Sequence, residues 1–160
     1  MSFYQLTSMD LPNHVRKYIA QHQVLNLSYS DQEGPQACAV FYALTRDNRF
    51  VFVSDRKTRH GTALAKGEIA VAFTINEDNQ EWENIQGIQG RGIVKEPQGI
   101  MAEKYKAIYL DRFPFILNSS RLVSMINKIE FWELTPFWIR FINNQVKFGF
   151  KEEFSNPEFP

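Results

Sequence analysis

The residues best suited to chemistry lie between Arg49 and Leu64, where an apolar run, Phe50 to Val53, leads into a basic, hydroxyl-bearing turn of Ser54, Lys57, Thr58, Arg59 and His60. The pattern predicts a short helix after this turn, closed by Gly67. The first N–H groups of a helix have no intrahelical partner and carry the positive end of its dipole, so a cationic turn there is suited to holding a phosphate. The same residues have a plainer reading, with Thr58 as an N-cap and Lys57, Arg59 and His60 as a solvated face. Other chemistries find less support. Cys38 is the only cysteine, which excludes an internal disulfide and a multi-cysteine metal site, and its apolar neighbours mark it as a core residue rather than a nucleophile. His14 and His22 stand eight apart, not the four that would set two imidazoles around one metal on a helix. Both are read as structural or surface residues, and no metal site is expected.

Composition narrows the classes further. Lys+Arg and Asp+Glu are both 18, so nothing draws the chain in bulk to nucleic acid or to an anionic membrane, and any anion site must be local. No segment approaches the ~20 apolar residues of a membrane span, and the opening Met-Ser-Phe-Tyr-Gln-Leu lacks a basic leader with a long apolar run. A cytoplasmic protein is expected. A chain of 160 residues, 44% of them hydrophobic, fits a single domain spanning 1–160, with loose termini at 1–9 and 151–160. Fourteen phenylalanines exceed what one small monomer can hide, which favours an obligate dimer.

The elements that must position the basic turn follow from periodicity. Asp10 is expected to cap a first helix with Pro12 in its first turn, placing Leu11, Val15, Tyr18, Ile19 and His22 on one face. Leu25, Leu27 and Tyr29 alternate with Asn26, Ser28 and Ser30 as in a half-buried strand, and Asp31 to Pro35 supplies a turn. The strand Ala37 to Leu44 starts small and ends bulky, which suits either a flat ligand or tight packing against the first helix. Ile69, Val71, Phe73 and Ile75 alternate again, with Ala70, Ala72 and Thr74 on the other face. Gly87, Gly90 and Gly92 punctuate the next strand; no helix follows as a dinucleotide loop requires, so they mark a bulge or barrel corner. A helix is expected from after Pro97 to Arg112 and another turn or two from Asn118 to Met125. Strands are then expected over Ile129–Leu134 and Phe137–Ile142 around Pro136, with Asn143-Asn144 turning into Val146–Phe150. The fold class is therefore mostly β (α+β): a six- to seven-stranded antiparallel barrel with two to four peripheral helices.

This order of elements resembles the pyridoxamine 5'-phosphate oxidase-like FMN-binding split-barrel superfamily, and more narrowly its YhbP-type branch. The resemblance runs from about Val15 to Phe150 and is carried by Lys57-Thr58-Arg59-His60, the Gly87 to Gly92 strand, Arg112-Phe113-Pro114, and Asn143-Asn144 with Phe148-Gly149-Phe150. It implies a homodimer with FMN at the interface. It also implies a phosphate held by a turn whose Ser-Arg-Lys positions fall on Thr58, Arg59 and His60, beside Lys57. A hydroxyl and a planar guanidinium fork keep that chemistry. His60 departs from the lysine and makes phosphate affinity weaker or more pH-dependent unless the phosphate keeps the imidazole protonated. The resemblance places main-chain contacts to the isoalloxazine ring at Ala39, Val40, Phe41, Tyr42, Val53 and Ser54, with Gln86 and Gly87 approaching from the fifth strand. The C-terminal Arg-x-His pair of the vitamin B6 oxidases has no counterpart between Trp138 and Phe150, so that activity is not expected. The implied function is FMN-dependent oxidation or reduction of a small-molecule substrate; the alternative is a non-catalytic flavin or small-ligand binding or sensing module. Other split-barrel branches use haem or a deazaflavin. A nucleic-acid-binding barrel built on Lys57, Arg59 and Arg91 is disfavoured by the neutral net charge.

Overall fold

The structure, a computed structural model, describes residues 8–159. Alternation builds its sheet. Leu25, Leu27 and Tyr29 of β1 (Val24–Asp31) and Val71, Phe73 and Ile75 of β4 (Ile69–Asn76) all turn inward and are buried, while their neighbours face out. With β2 (Gly34–Leu44), β3 (Phe50–Ser54), β5 (Gln86–Lys95), β6 (Glu130–Asn143) and β7 (Lys151–Ser155), the order is β3-β2-β1-β4-β5-β6-β7, antiparallel throughout. β3 pairs a second time with β6, from Phe50 opposite Leu134 to Ser54 opposite Glu130, and so closes the first six strands into a barrel. The second half of β6 leaves β3 and takes β7 instead, from Trp138 opposite Ser155 to Ile142 opposite Lys151. The expected split barrel is therefore present: the β3–β6 pairing closes the ring, and β7 remains at the end of the sheet.

Two apolar clusters hold it. The barrel interior contains Leu27, Phe50, Phe52, Phe73, Trp132 and Ile139. A second cluster lies outside the wall, where α3 (Ile100–Arg112) and α4 (Ser120–Ile126) cover Val51 and Phe131 with Tyr105, Tyr109, Phe113 and Ile126. β3 is thus buried on both faces, which is why Phe50 to Val53 reads as an unbroken apolar run rather than an alternating one. The glycines of β5 do mark an irregularity. A Cβ at Gly90 would fall within the Phe73 ring, and the β5–β6 register shifts between Arg91 and Gly92.

Three expectations about the elements are corrected. Asp10 does not cap α1 (Asn13–Gln21): extended Pro12, with ψ 152°, takes the N-cap position, and no side chain caps the helix. Pro136 does not divide two strands, because it lies opposite Gly92 at the register shift, where a missing N–H costs no regular ladder bond. Residues Val146–Phe150 are not a strand. Asn143 Oδ1 accepts from Gln145 N at 3.1 Å, Asn144 Oδ1 accepts from Gly149 N at 2.9 Å, and Gly149 at φ +74° turns the chain into β7. The tail expected to be loose over 151–160 is therefore structured: β7 pairs with β6, Asn156 N donates to Phe137 O at 2.9 Å, and Phe159 stacks on Phe137 at 4.2 Å. Of the other expected loose end, 1–7 lie outside the described residues, and Met9 is buried with its carbonyl accepting from Asn48 Nδ2 at 2.7 Å.

Candidate functional site

The end of β3 and the start of α2 (Arg59–Leu64) form one hydrogen-bonded unit. Thr58 is the N-cap: Oγ1 accepts from Gly61 N at 3.1 Å and donates to Asp55 O at 2.7 Å. Asp55 Oδ1 accepts from Lys57 N at 2.8 Å. The backbone at Gly61 lies so close to Asp55 that a Cβ there would overlap the Asp55 carbonyl. Trp132 supports the unit from inside the barrel, its Nε1 donating to Ser54 O at 3.0 Å.

The side chains expected to hold a phosphate have partners within the chain. Arg59 Nε donates to Asp31 Oδ2 at 2.8 Å, and Arg59 Nη2 donates to Glu33 Oε2 at 2.6 Å. These two carboxylates come from the β1–β2 turn, and the Arg59 bond, followed by the Glu33 N–H, holds the Asp31 carboxyl below its usual range. His60 Nε2 lies 2.6 Å from Ser54 Oγ. Arg56 is paired with Glu96 and Glu130, which leaves Lys57 as the turn's unpaired cation among the described residues. The capping half of the plainer reading is thus realised at Thr58, whereas Arg59 is not simply solvated: it fastens α2 to a hairpin.

Burial lowers the His60 pKa from its ordinary 6.5. A depressed imidazole pKa means that the unfolded chain takes up the proton first, so the stability from neutral His60 is present above about 6.5 and lost as pH falls toward the folded value. Between pH 7.5 and 5.5 the midpoint of urea unfolding is expected to drop less in His60→Gln than in the parent. Equal drops would exclude His60 as the source.

The strand expected to meet a flat ring presents two different faces. Val40 and Tyr42 point inward, Tyr42 OH donating to Ile19 O at 2.5 Å, while Ala37, Ala39 and Phe41 face out. Ala37 and Ala39 are exposed and do not lie beneath α1, which excludes the packing alternative for them. Ala37 stands opposite Ser28 and Ala39 opposite Asn26; these in turn stand opposite Ala72 and Thr74. The result is an outward groove of about 440 Å³ floored by small residues and ending at Trp138. Arg91 and Arg140 lie over the Trp138 ring at 4.5 and 5.1 Å. Phe41 meets Phe113 edge-on at 5.8 Å, and beyond it Phe115 and Leu117 are exposed.

The twelve expected contact residues therefore fall in three places. Val53, Ser54, Lys57, Thr58, Arg59 and His60 form the turn, and Ala39 to Tyr42 lie one strand away, with Tyr42 opposite Phe52. Gln86 and Gly87 are on β5, which two strands separate from β2 by either path round the barrel. Sequence reasoning missed Asp31 and Glu33, which it read only as turn residues, and the Trp138 platform.

The most buried carboxylate lies elsewhere. Glu133, 2% exposed, accepts from Arg49 Nη1 at 2.9 Å, from Thr135 Oγ1 at 2.9 Å and from the Tyr105 hydroxyl, with Lys95 Nζ at 3.7 Å. Burial, then the bond to Glu133, raises the Tyr105 pKa, so the phenol stays a donor and pins α3 to the barrel wall. Among the described residues no His, Cys, Asp and Glu are grouped to hold a metal ion, and no helix is long and apolar enough to cross a membrane.

No protein-family model matches the chain. It is similar to UPF0306 protein YhbP of Salmonella schwarzengrund, 29% identical over 146 residues that span 89% of this chain and 92% of that one. Among solved structures it shares its fold with a heme binding protein from Mycobacterium smegmatis, with TM-score 0.69 and 19% identity over 91% of this chain and 59% of that one. It also shares the fold of a Clostridium acetobutylicum protein related to general stress protein 26, of the pyridoxinephosphate oxidase family, with TM-score 0.62 and 14% identity over 91% and 94% of the two chains.

Proposed function

We propose, for a chain whose relatives are the YhbP-type proteins and whose fold is the split barrel, that it binds FMN as a homodimer and works as a flavin-dependent oxidoreductase on a small-molecule substrate. The observation that carries this reading is the uncovered small-residue face of β2, β1 and β4, which leaves a flat surface of the kind a tricyclic ring requires. The phosphate has a donor set at the turn. Lys57 is unpaired among the described residues, and the first-turn N–H groups of α2 other than the one capped by Thr58 point out of the helix. Arg59 joins that set only by exchanging Asp31 and Glu33 for the phosphate, so binding loosens the hairpin as it tightens the ligand. Bound FMN would supply the hydride or single-electron chemistry. The chain's own residues hold its phosphate, orient its ring and, with a second copy laid over the groove, exclude water. Two strands separate β2 from Gly87 on β5 by either path round the barrel, which suits contributions from different copies, while the Gln86 main chain is already engaged by Gln80 and Tyr18. The missing Arg-x-His pair argues against vitamin B6 oxidation.

Absorbance and mass spectrometry of the protein as purified identify the cofactor and separate FMN from haem and from a deazaflavin. A colourless protein whose melting temperature ignores added FMN would end the flavin reading. Reduction of the bound flavin by a nicotinamide cofactor faster than that of free FMN supports the enzyme; its absence leaves a binding module. The ion pair gives a sharper expectation. Arg59→Ala weakens FMN at least tenfold, the scale of a lost charge-assisted contact, whereas Asp31→Asn with Glu33→Gln strengthens it severalfold by freeing the guanidinium. If neither variant moves the FMN dissociation constant, the phosphate lies elsewhere.

A further inference from the structure

A second concavity, of about 370 Å³, opens at the far end of α1, between that helix and the segments joining β4 to β5 and β6 to β7. It is polar almost throughout. Its wall includes His22, Glu77, Gln80, Glu81 and Gln145, with Tyr18 as its aromatic member, and no lysine or arginine lines it.

The wall is fixed before any ligand arrives. Gln80 Oε1 accepts from Gln86 N at 2.6 Å, and Gln80 Nε2 donates to Glu77 O at 3.0 Å. Tyr18 OH donates to Gln86 O at 3.0 Å, and the Tyr18 ring lies over His22 at 4.2 Å. Burial, then the Glu77 carboxylate, pushes the Tyr18 phenol up to about 12, so that donor persists at neutral pH.

The imidazole carries the argument. His22 Nδ1 lies 2.7 Å from Tyr18 O, an acceptor only, so Nδ1 bears the proton. In the neutral ring, Nε2 is then an acceptor. It is buried, has no hydrogen-bond partner, and faces Glu77 Oε1 at 3.3 Å. Two acceptors facing each other lack a donor between them. His22 is held, its side chain 11% exposed, while Glu77 at 64% is the member free to swing. Glu81 lies on the same wall, and among the described residues neither Glu77 nor Glu81 forms an ion pair with lysine or arginine. Trp82, 78% exposed, follows Glu81 directly, and its carbonyl is anchored by Asn144 Nδ2 at 3.1 Å.

We propose that this pocket binds a small aliphatic primary amine as its ammonium ion, whose N–H donors bridge His22 Nε2 and the Glu77 carboxylate while Glu81 on the same wall adds a second negative charge. A neutral polyol would satisfy the acceptors but leave the two carboxylates without a counter-charge. None of the turn residues takes part in this site; it shares only Gln86 with the flavin reading, and here the Gln86 main chain is engaged by Gln80 and Tyr18.

The test is calorimetric titration of the purified full-length protein with 1,4-diaminobutane at pH 8, run beside 1,4-butanediol and glucose. The diamine is expected to bind saturably. Glu77→Gln weakens it at least tenfold, Glu81→Gln weakens it less, and Asp78→Asn, which carries the same charge change outside the pocket, leaves it unchanged. Circular dichroism on each variant separates lost binding from lost fold, and the exposed loop positions of Glu77 and Glu81 favour folded variants. No saturable binding, binding that Glu77→Gln leaves intact, an equal loss in Asp78→Asn, or tighter binding of glucose or the diol than of the diamine each overturns the proposal.

Discussion

Glu133→Ala is expected to lower the unfolding free energy by about 3–5 kcal/mol, the usual cost of deleting one member of a buried ion pair. The loss comes from the buried partners that the missing carboxylate leaves behind. Arg49 and Tyr105 are held against the barrel wall by Glu133, and Lys95 is drawn toward it. Without the carboxylate, Arg49 keeps its pairing with Asp47 at its outer edge but loses the buried one, and the Tyr105 hydroxyl loses the carboxylate it donates to beneath α3. Urea unfolding followed by circular dichroism measures the change. Glu133→Gln separates charge from shape, because it retains an acceptor for Tyr105 and Thr135 and is expected to lose roughly half as much. Loss below about 1 kcal/mol in Glu133→Ala would mean that water replaces the carboxylate and that the cluster is not the pin described above.

Gly61→Ala is the second large effect. The added methyl would overlap backbone, the Asp55 carbonyl and the Arg56 Cα, neither of which can turn aside as a side chain would. α2 must therefore move off the 55–56 turn, and the Thr58 cap on Gly61 N goes with it. Overpacking of this kind costs about 1–3 kcal/mol. The more telling readout is local: ligand retained by the parent through purification is expected to be lost from Gly61→Ala, even at temperatures where the barrel remains folded. Equal retention in the two proteins would mean that the turn does not hold it.

Much of the barrel was legible because β1 and β4 each bury every second residue, and period two survives in the sequence whatever the strand pairs with. The Thr58 cap was legible for a similar reason, since capping is decided within three residues. What escaped was decided by partners far along the chain. Nothing near Pro136 shows that it faces a register shift at Gly92, so a strand interrupted by proline reads as two strands. Nothing near Arg59 shows that Asp31 and Glu33, more than two dozen positions earlier, stand beside it, so a guanidinium already engaged reads as one awaiting an anion. The β7 error has the same origin. Val146 and Phe148 have strand-like composition but remain exposed, because Gly149 and the two asparagine side chains had already fixed a turn.

The double pairing of β3 has a temporal consequence. The β3–β6 pairs and the Arg49–Glu133 bridge join positions 76 to 84 apart, so the ring cannot shut while the chain is being made until nearly all of it has left the ribosome. Until then β3 and β5 are bare edges in a half-built sheet, and contacts of such long sequence separation form slowly. For a nascent chain this rich in phenylalanine, that interval is when association with the wrong neighbour is most dangerous.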